Sequence, residues 1–268
     1  MGIARFRTND GSVRYGYASG SSILDFGMQS LRDLLTNLPD ALASGEQIYD
    51  RSEVTLLSPV DPGTVVRFDG CYEHNIADDH DPHLGEFIAG EAPSIWVTPN
   101  SSLCADDCEV SIPTILDDVR PGVELGLVIG RHAENLSLQE AADCIIGYTV
   151  CRTLSGYDQH PGLYGYRMFA GSLGVGPTIV PEVEPPVALG VRQNDETVDQ
   201  SSTAHLRFSL GDLVRYASHI FTLNPGDLLV TGNPLQATDS VNPGDTVTAW
   251  IESVGQQTAA LSAEGENR

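Results

Sequence analysis

Pro121-Gly122-Val123-Glu124-Leu125-Gly126-Leu127-Val128-Ile129-Gly130 decides how this chain folds. Apolar and β-branched residues in a short run closed by glycine make a strand, and one carboxylate, Glu124, is set among them. A carboxylate in such surroundings needs a partner. Ser137-Leu138-Gln139-Glu140 follows with the spacing of a capping box and leads into the helix-forming Ala141-Ala142-Asp143-Cys144. Ile145 to Cys151 reads as a second buried strand, after which Arg152 to His160 carries polar groups out of the core. The two strands and the capped helix between them bring Glu124 towards Asp158 at neighbouring strand ends.

On the N-terminal side, Ile3, Arg5 and Arg7 alternate with other residues, Asn9-Asp10-Gly11 turns, and Val13 to Tyr17 resumes the alternation of a β-meander. Ser30 to Leu35 places apolar residues at helical spacing behind a serine cap. The turn signals in Leu56 to Gly63 put a domain boundary near residue 60, between a β-rich domain over 1–60 and a larger one over 61–268. On the C-terminal side, Ser209 caps a helix through Ser218, and Asn224-Pro225-Gly226-Asp227 and Asn242-Pro243-Gly244-Asp245 are near-identical turns. Val247, Ala249 and Ile251 alternate with Thr246, Thr248 and Trp250 in a closing strand.

The chain of 268 residues carries 37 acidic and 14 basic side chains, a formal net charge of −23, and every basic one is arginine. Self-repulsion of that size opposes a compact state in dilute salt, whereas a Debye length of about 3 Å near 1 M salt screens it. The composition points to a salt-rich cytoplasm, as in a halophilic archaeon. Acidic runs such as Glu264 to Glu266 are solvated surface on this reading. With no basic patch to neutralise phosphates, nucleic acid and anionic membrane surfaces are excluded as partners. Met1 to Asp10 is polar and no long apolar run occurs, so neither a leader nor a membrane span is expected. Five cysteines without an export signal suggest reduced thiols, with Cys104 and Cys108 at a hairpin tip.

The sequence VELGLVIG, then the capped helix, then GYTV and Ser155-Gly156-Tyr157-Asp158 resembles the fumarylacetoacetate hydrolase family, whose motif runs Glu-x-Glu-Leu-x-x-Val-Ile-Gly and later Gly-Tyr-Thr-x-x-Asn-Asp-x-Ser-x-Arg-Asp. The resemblance implies an α+β, β-rich fold: a mixed β-sheet roll with a small N-terminal β domain, assembled as a homodimer. It implies a divalent cation, Mg2+ or Mn2+, on Glu124 and Asp158, with Gly122 where the family has its first glutamate. Gly70-Cys71-Tyr72-Glu73-His74 is similar to the family's Gly-Leu-Asn-Tyr-x-x-His and makes His74 the candidate base. Arg167 stands at a family lysine position, suited by its fork to anchoring a substrate carboxylate. Thr98 stands at another lysine position and Ala170 at an aspartate. Leu228 to Pro234 matches the family's Thr-Gly-Thr-Pro border of the site, with Asn233 for the second threonine. Substrate contacts are thereby assigned to Tyr157, Arg152, Thr231, Gly232 and Asn233, and a guanidinium at Arg152 brings charge beside the cation site.

In such a site the cation takes up developing negative charge while the base supplies the nucleophile at neutral pH. The implied function is hydrolysis of a carbon–carbon bond in a small 2-oxo or 1,3-dicarbonyl acid, an acidic metabolite of the cytoplasm. A dehydratase or isomerase/decarboxylase acting on 2-keto-3-deoxy sugar acids is the alternative within the same fold, and a paralogue that keeps the scaffold without catalysis is a third reading.

Overall fold

The computed structural model of the protein describes residues 1–36, 45, 47–73, 92–156, 167–235 and 239–265. The N-terminal meander forms β1 (Gly2–Arg7), β2 (Val13–Ser19), β3 (Ser22–Met28), the short helix α1 (Leu31–Thr36), β4 (Gln47–Asp50) and β5 (Thr55–Leu57). The remainder supplies β6 (Val65–Asp69), β7 (Ser94–Thr98), β8 (Leu103–Cys104), β9 (Cys108–Ile112), β10 (Val119–Ile129), α2 (Leu138–Ala142), β11 (Ile145–Gly156), β12 (Leu173–Val175), β13 (Thr178–Ile179), β14 (Ala188–Gln193), β15 (Glu196–Ser202), α3 (Leu210–Ser218), β16 (Leu228–Val230), β17 (Thr246–Ile251) and β18 (Gly255–Ala263). These make the strand-rich, mixed-sheet fold that the resemblance implies.

A seven-stranded sheet in the order β7-β6-β16-β10-β11-β12-β8 is the centre, and the long antiparallel pair β10–β11 is its spine. Alternation sorts the side chains of the spine onto two faces. Val123, Leu125, Leu127 and Ile129 of β10, with Val150 and Leu154 of β11, bury themselves against β14, β17 and β18 of a five-stranded sheet. Val128, Cys151, Leu228 and Val230 point the other way and pack against Ile3, Tyr15, Phe26 and Leu34 of the N-terminal segment. Glu124 lies on that second face.

The N-terminal sheet is not closed on itself, because β1 also pairs with β13 through Ile3 and Ile179. Covering one face of the central sheet is therefore its structural role, and the boundary near residue 60 is crossed by both a ladder and a core. Capping matches the sequence closely: Ser137 and Glu140 satisfy each other's backbone N–H groups at α2, and Ser209 with Asp212 does the same at α3. The Asn224–Asp227 turn places Gly226 at φ 92°, where glycine carries no steric cost.

Two expectations are corrected. β11 does not leave the core at Cys151. It continues to Gly156 because every residue from Val119 to Val128 has a partner on it, so Arg152, Thr153, Leu154 and Ser155 are buried strand residues. Nor are all the thiols reduced: the turn between β8 and β9 brings the Cα atoms of Cys104 and Cys108 to 6.2 Å and the two form a disulfide, leaving Cys71, Cys144 and Cys151 free. Among the described residues no helix is long and apolar enough to cross a membrane.

Candidate active site

Arg67 on β6 stands opposite Val230 on β16, which stands opposite Gly126 on β10. Glu124 is two residues along β10 from Gly126, so alternation gives it the same face as Arg67. There Arg67 Nη2 donates to Glu124 Oε1, while Gly232 N donates to Oε2 at 2.9 Å. Both side chains are 2% exposed. The amide of Gly232 reaches the carboxylate because the residue sits at φ 85°, and a Cβ there would stand 3.0 Å from the Phe68 carbonyl oxygen. Only glycine serves both demands.

A second ion pair lies beside the first. Asp69, two residues along β6, accepts from Arg167 Nη1 at 2.9 Å, and the Arg167 carbonyl accepts from Arg67 Nη1 at 3.2 Å. Trp96 of β7 is directly opposite Arg67, and its ring centroid is 5.8 Å from the guanidinium carbon of Arg67 and 5.7 Å from that of Arg167. Two cations thus lie against one aromatic ring, an attraction worth up to about 2 kcal/mol each when desolvated. Arg67 is sealed, whereas Arg167 keeps 22% of its side chain exposed.

The Thr231-Gly232-Asn233 segment borders this pair. Thr231 Oγ1 accepts from Leu125 N at 3.2 Å and lies 3.3 Å from the Tyr72 hydroxyl. Asn233 Oδ1 accepts from Val123 N at 3.2 Å and from Leu235 N at 3.3 Å. That bond brings the Asn233 amide over Gly122, where a Cβ would meet Asn233 Cγ and Nδ2 at 2.7 Å and Thr153 Oγ1 at 2.6 Å. Asparagine at 233 occupies the room that a side chain at 122 would need.

Of the residues assigned from sequence, the structure brings together Glu124, Arg167, Thr231, Gly232 and Asn233. It separates Arg152 from them. Arg152 is opposite Val123, on the far face of the sheet, where Nε donates to Gln257 Oε1 at 2.8 Å and Nη2 to the Gly171 carbonyl at 2.9 Å. Gly174 leaves the space, since its Cβ would collide with Gln257. Arg152 is therefore neither a substrate contact nor the partner of Glu124, and burial pulls its pKa down to about 10. His74, Tyr157 and Asp158 lie outside the described residues.

The described residues do not suit a divalent cation. Both oxygens of Glu124 are engaged by N–H donors, position 122 has no carboxylate, and no three His, Cys, Asp or Glu side chains cluster among the described residues. A cation on Glu124 would sit beside Arg67, where like charges about 4 Å apart repel by about 4 kcal/mol per unit charge at an effective dielectric near 20. Magnesium or manganese would have to displace Arg67 to reach that carboxylate.

Residues 64–262 match the family described as fumarylacetoacetate (FAA) hydrolase C-terminal. The chain belongs to the fumarylacetoacetate hydrolase family. A bifunctional isomerase/decarboxylase of 4-hydroxyphenylacetate degradation from Escherichia coli is 34% identical over 194 residues, 69% of this chain and 45% of that protein. Maleylpyruvate hydrolase from Aquipseudomonas alcaligenes is 26% identical over 97% of this chain and 99% of its own length. A 5-carboxymethyl-2-hydroxymuconate delta-isomerase from Mycobacterium smegmatis superposes with a TM-score of 0.82 at 25% identity, covering 98% of this chain and all of that one. Maleylpyruvate hydrolase from Sphingobium sp. SYK-6, solved with manganese(II) and pyruvate, gives 0.80 at 20% identity over 98% and 99% of the two chains. These relatives of the fumarylacetoacetate hydrolase family are named as enzymes, and at family level this chain is one too, a hydrolase or related lyase.

Sequence reasoning missed Arg67, Asp69 and Trp96. The signal was present: Thr64-Val65-Val66-Arg67-Phe68 sets one charge in an apolar strand, as Glu124 is set in its own, and two such strands demand one another's charge.

Acidic groups around this family site tie its stability to pH. Burial raises Cys71 and Cys151 above the ordinary 9.0 of a thiol; the charge of Glu124 adds to both, and that of Asp69 to Cys71. Burial likewise raises Tyr72 above 10.0 and carries Tyr15 to about 12. Each group keeps its proton longer folded than unfolded, so its stabilisation is complete below the unfolded pKa and is lost as pH rises through the folded one. Arg152 acts in the opposite sense above pH 10 and offsets one of the four. The unfolding free energy, and with it the urea midpoint, is expected to fall steadily from pH 9 to pH 11, the free energy by about 1.4 kcal/mol per pH unit for each net proton. Cys71→Ala should flatten the slope by one proton; a midpoint constant across that range would contradict the assignment.

Proposed function

We propose that this chain hydrolyses a carbon–carbon bond in a small 2-oxo or 1,3-dicarbonyl acid, working as a cytoplasmic homodimer at high salt. The observation that carries the reading is the pair of guanidiniums stacked on Trp96, one sealed on Glu124 and one partly open on Asp69. Arg167, with 22% of its side chain exposed beside Asp69, brings a fixed positive charge to the rim, where it attracts a substrate carboxylate. Such an anchor selects acidic metabolites, and the family's named activities on compounds of that kind support the choice. Thr231 and Asn233 are held by backbone N–H groups of β10, so the strand that carries Glu124 also fixes these two side chains beside it. Tyr157 is assigned a place on the substrate by the resemblance. His74, two residues beyond the buried Tyr72 in the chain, is assigned the base that draws a proton from water. An enolate formed by bond cleavage develops its charge within the field of Arg67, preorganised and dry.

The alternative, a dehydratase or isomerase/decarboxylase acting on related acids, uses the same anchor and the same enolate. Product analysis separates them. In molar salt, acylpyruvates, oxaloacetate and 2-keto-3-deoxy sugar acids are incubated with the protein and followed by nuclear magnetic resonance. Pyruvate plus a second carboxylic acid is the expected outcome, and His74→Ala should lower kcat by about 100-fold or more with little change in KM. Carbon dioxide release, double-bond movement or loss of water would favour the alternative. No turnover of any of them, with no shift of the unfolding midpoint by pyruvate or oxalate, would contradict the reading.

A further inference from the structure

We propose that Arg67 is a built-in replacement for a bound divalent cation, so that the pocket holds small 2-oxo carboxylates without metal. This rests on the reading above of the pocket as an oxo-acid site. Three features at three places in the chain fit together around it. Arg67 puts a fixed positive charge on Glu124, taking one carboxylate oxygen while the Gly232 amide takes the other. Position 122 carries no side chain, and the Asn233 amide fills the space a side chain there would enter. Trp96 backs the guanidinium in place of a hydrated surface, and the Arg167 carbonyl holds its other terminal nitrogen.

A site that had merely decayed would leave Glu124 without a counter-charge, and a carboxylate sealed from water would not persist in that state. Instead, charge and volume are both balanced. A buried ion pair is also a poor device for stability, since apolar residues of similar size commonly do as well or better. Its retention in the middle of an apolar sheet face is explained by use. Arg67 Nε has no hydrogen-bond partner among the described residues, so the guanidinium retains an unspent donor within a sealed site. The pair faces the same side of the sheet as Arg167, which is bound to Asp69 and keeps 22% of its side chain exposed. Arg67 thus acts as a positioning residue that sets the field in which Arg167 binds.

The test uses the full chain in molar salt and oxalate as the probe, with binding measured by calorimetry in buffer stripped of metal by chelator and again with added Mn2+. Oxalate is expected to bind equally in both. Arg67→Ala should weaken it at least tenfold in the chelated buffer, and millimolar guanidinium ion should restore part of the loss, which a merely structural role would not allow. Arg67→Lys, which keeps the charge, should fall between the two and guards against failure of the alanine variant to fold. Binding that requires Mn2+ in the unaltered protein, and is lost in Glu124→Gln, would overturn the replacement while leaving the oxo-acid reading intact. Oxalate binding by Arg67→Ala at the unaltered affinity would also overturn it. No binding of oxalate or pyruvate under either condition would overturn the oxo-acid reading itself.

Discussion

Arg67→Met is expected to lower the unfolding free energy by about 3–5 kcal/mol, among the largest effects of any single substitution in this chain. The reason is the group left behind. Glu124 is 1% exposed, and without Arg67 it keeps one hydrogen bond from Gly232 N and no counter-charge. The methionine itself is harmless, a flexible side chain of similar length on the Trp96 ring. The asymmetry can be measured with a double-mutant cycle. Glu124→Leu alone should cost a similar amount by stranding the guanidinium, yet the double variant Arg67→Met with Glu124→Leu should recover most of the loss and is allowed to exceed the parent by about 1–4 kcal/mol. Urea unfolding at fixed molar salt reads all four corners. Single variants that each cost under about 1 kcal/mol would place the pair among exposed ion pairs and contradict its burial.

Gly122→Glu is expected to be the second severe change. The first cause is steric: a Cβ at 122 falls 2.6 Å from Thr153 Oγ1 and 2.7 Å from Asn233 Cγ and Nδ2. Threonine is stiff at χ1, and Asn233 is tied to Val123 N, so neither yields freely. Overpacking of this kind costs about 1–3 kcal/mol. The second cause is charge, because the new carboxylate would enter a buried region where Arg67 already neutralises Glu124. Gly122→Glu with Asn233→Thr should remove the Asn233 share of the steric cost and leave the Thr153 contact and the electrostatic part. Comparing the two urea midpoints therefore isolates the share due to Asn233. Equal midpoints would show that Asn233 does not fill the space.

The elements of the fold were legible because local chemistry and tertiary packing agree. β10 and β11 are apolar on both faces, α2 and α3 announce themselves by Ser-x-x-Glu and Ser-x-x-Asp, and both Asn-Pro-Gly-Asp turns need the glycine they have. What stayed hidden depended on which face a residue takes. Arg152 follows Cys151 directly, and one step along a strand turns a side chain to the opposite side of the sheet. It went to Gln257 and away from Glu124. The strand end was misplaced for a related reason: Thr153 and Ser155 look polar in sequence but are covered in the sheet. Arg67 lies 57 residues from Glu124, and only the parallel pairing of β6 with β16 brings the two strands close. Register of that range is not encoded in any local pattern. Asp69 and Trp96 follow from Arg67 once it is placed, because they lie on the same face of β6 and β7.

The most direct measurement of the central claim is anomalous diffraction from crystals of the full chain grown in molar salt and soaked in manganese(II). The account predicts Arg67 on Glu124, Gly232 N on the second oxygen, and no anomalous peak within coordination distance of that carboxylate. A manganese peak on Glu124, with the Arg67 guanidinium swung away from it, would contradict the account.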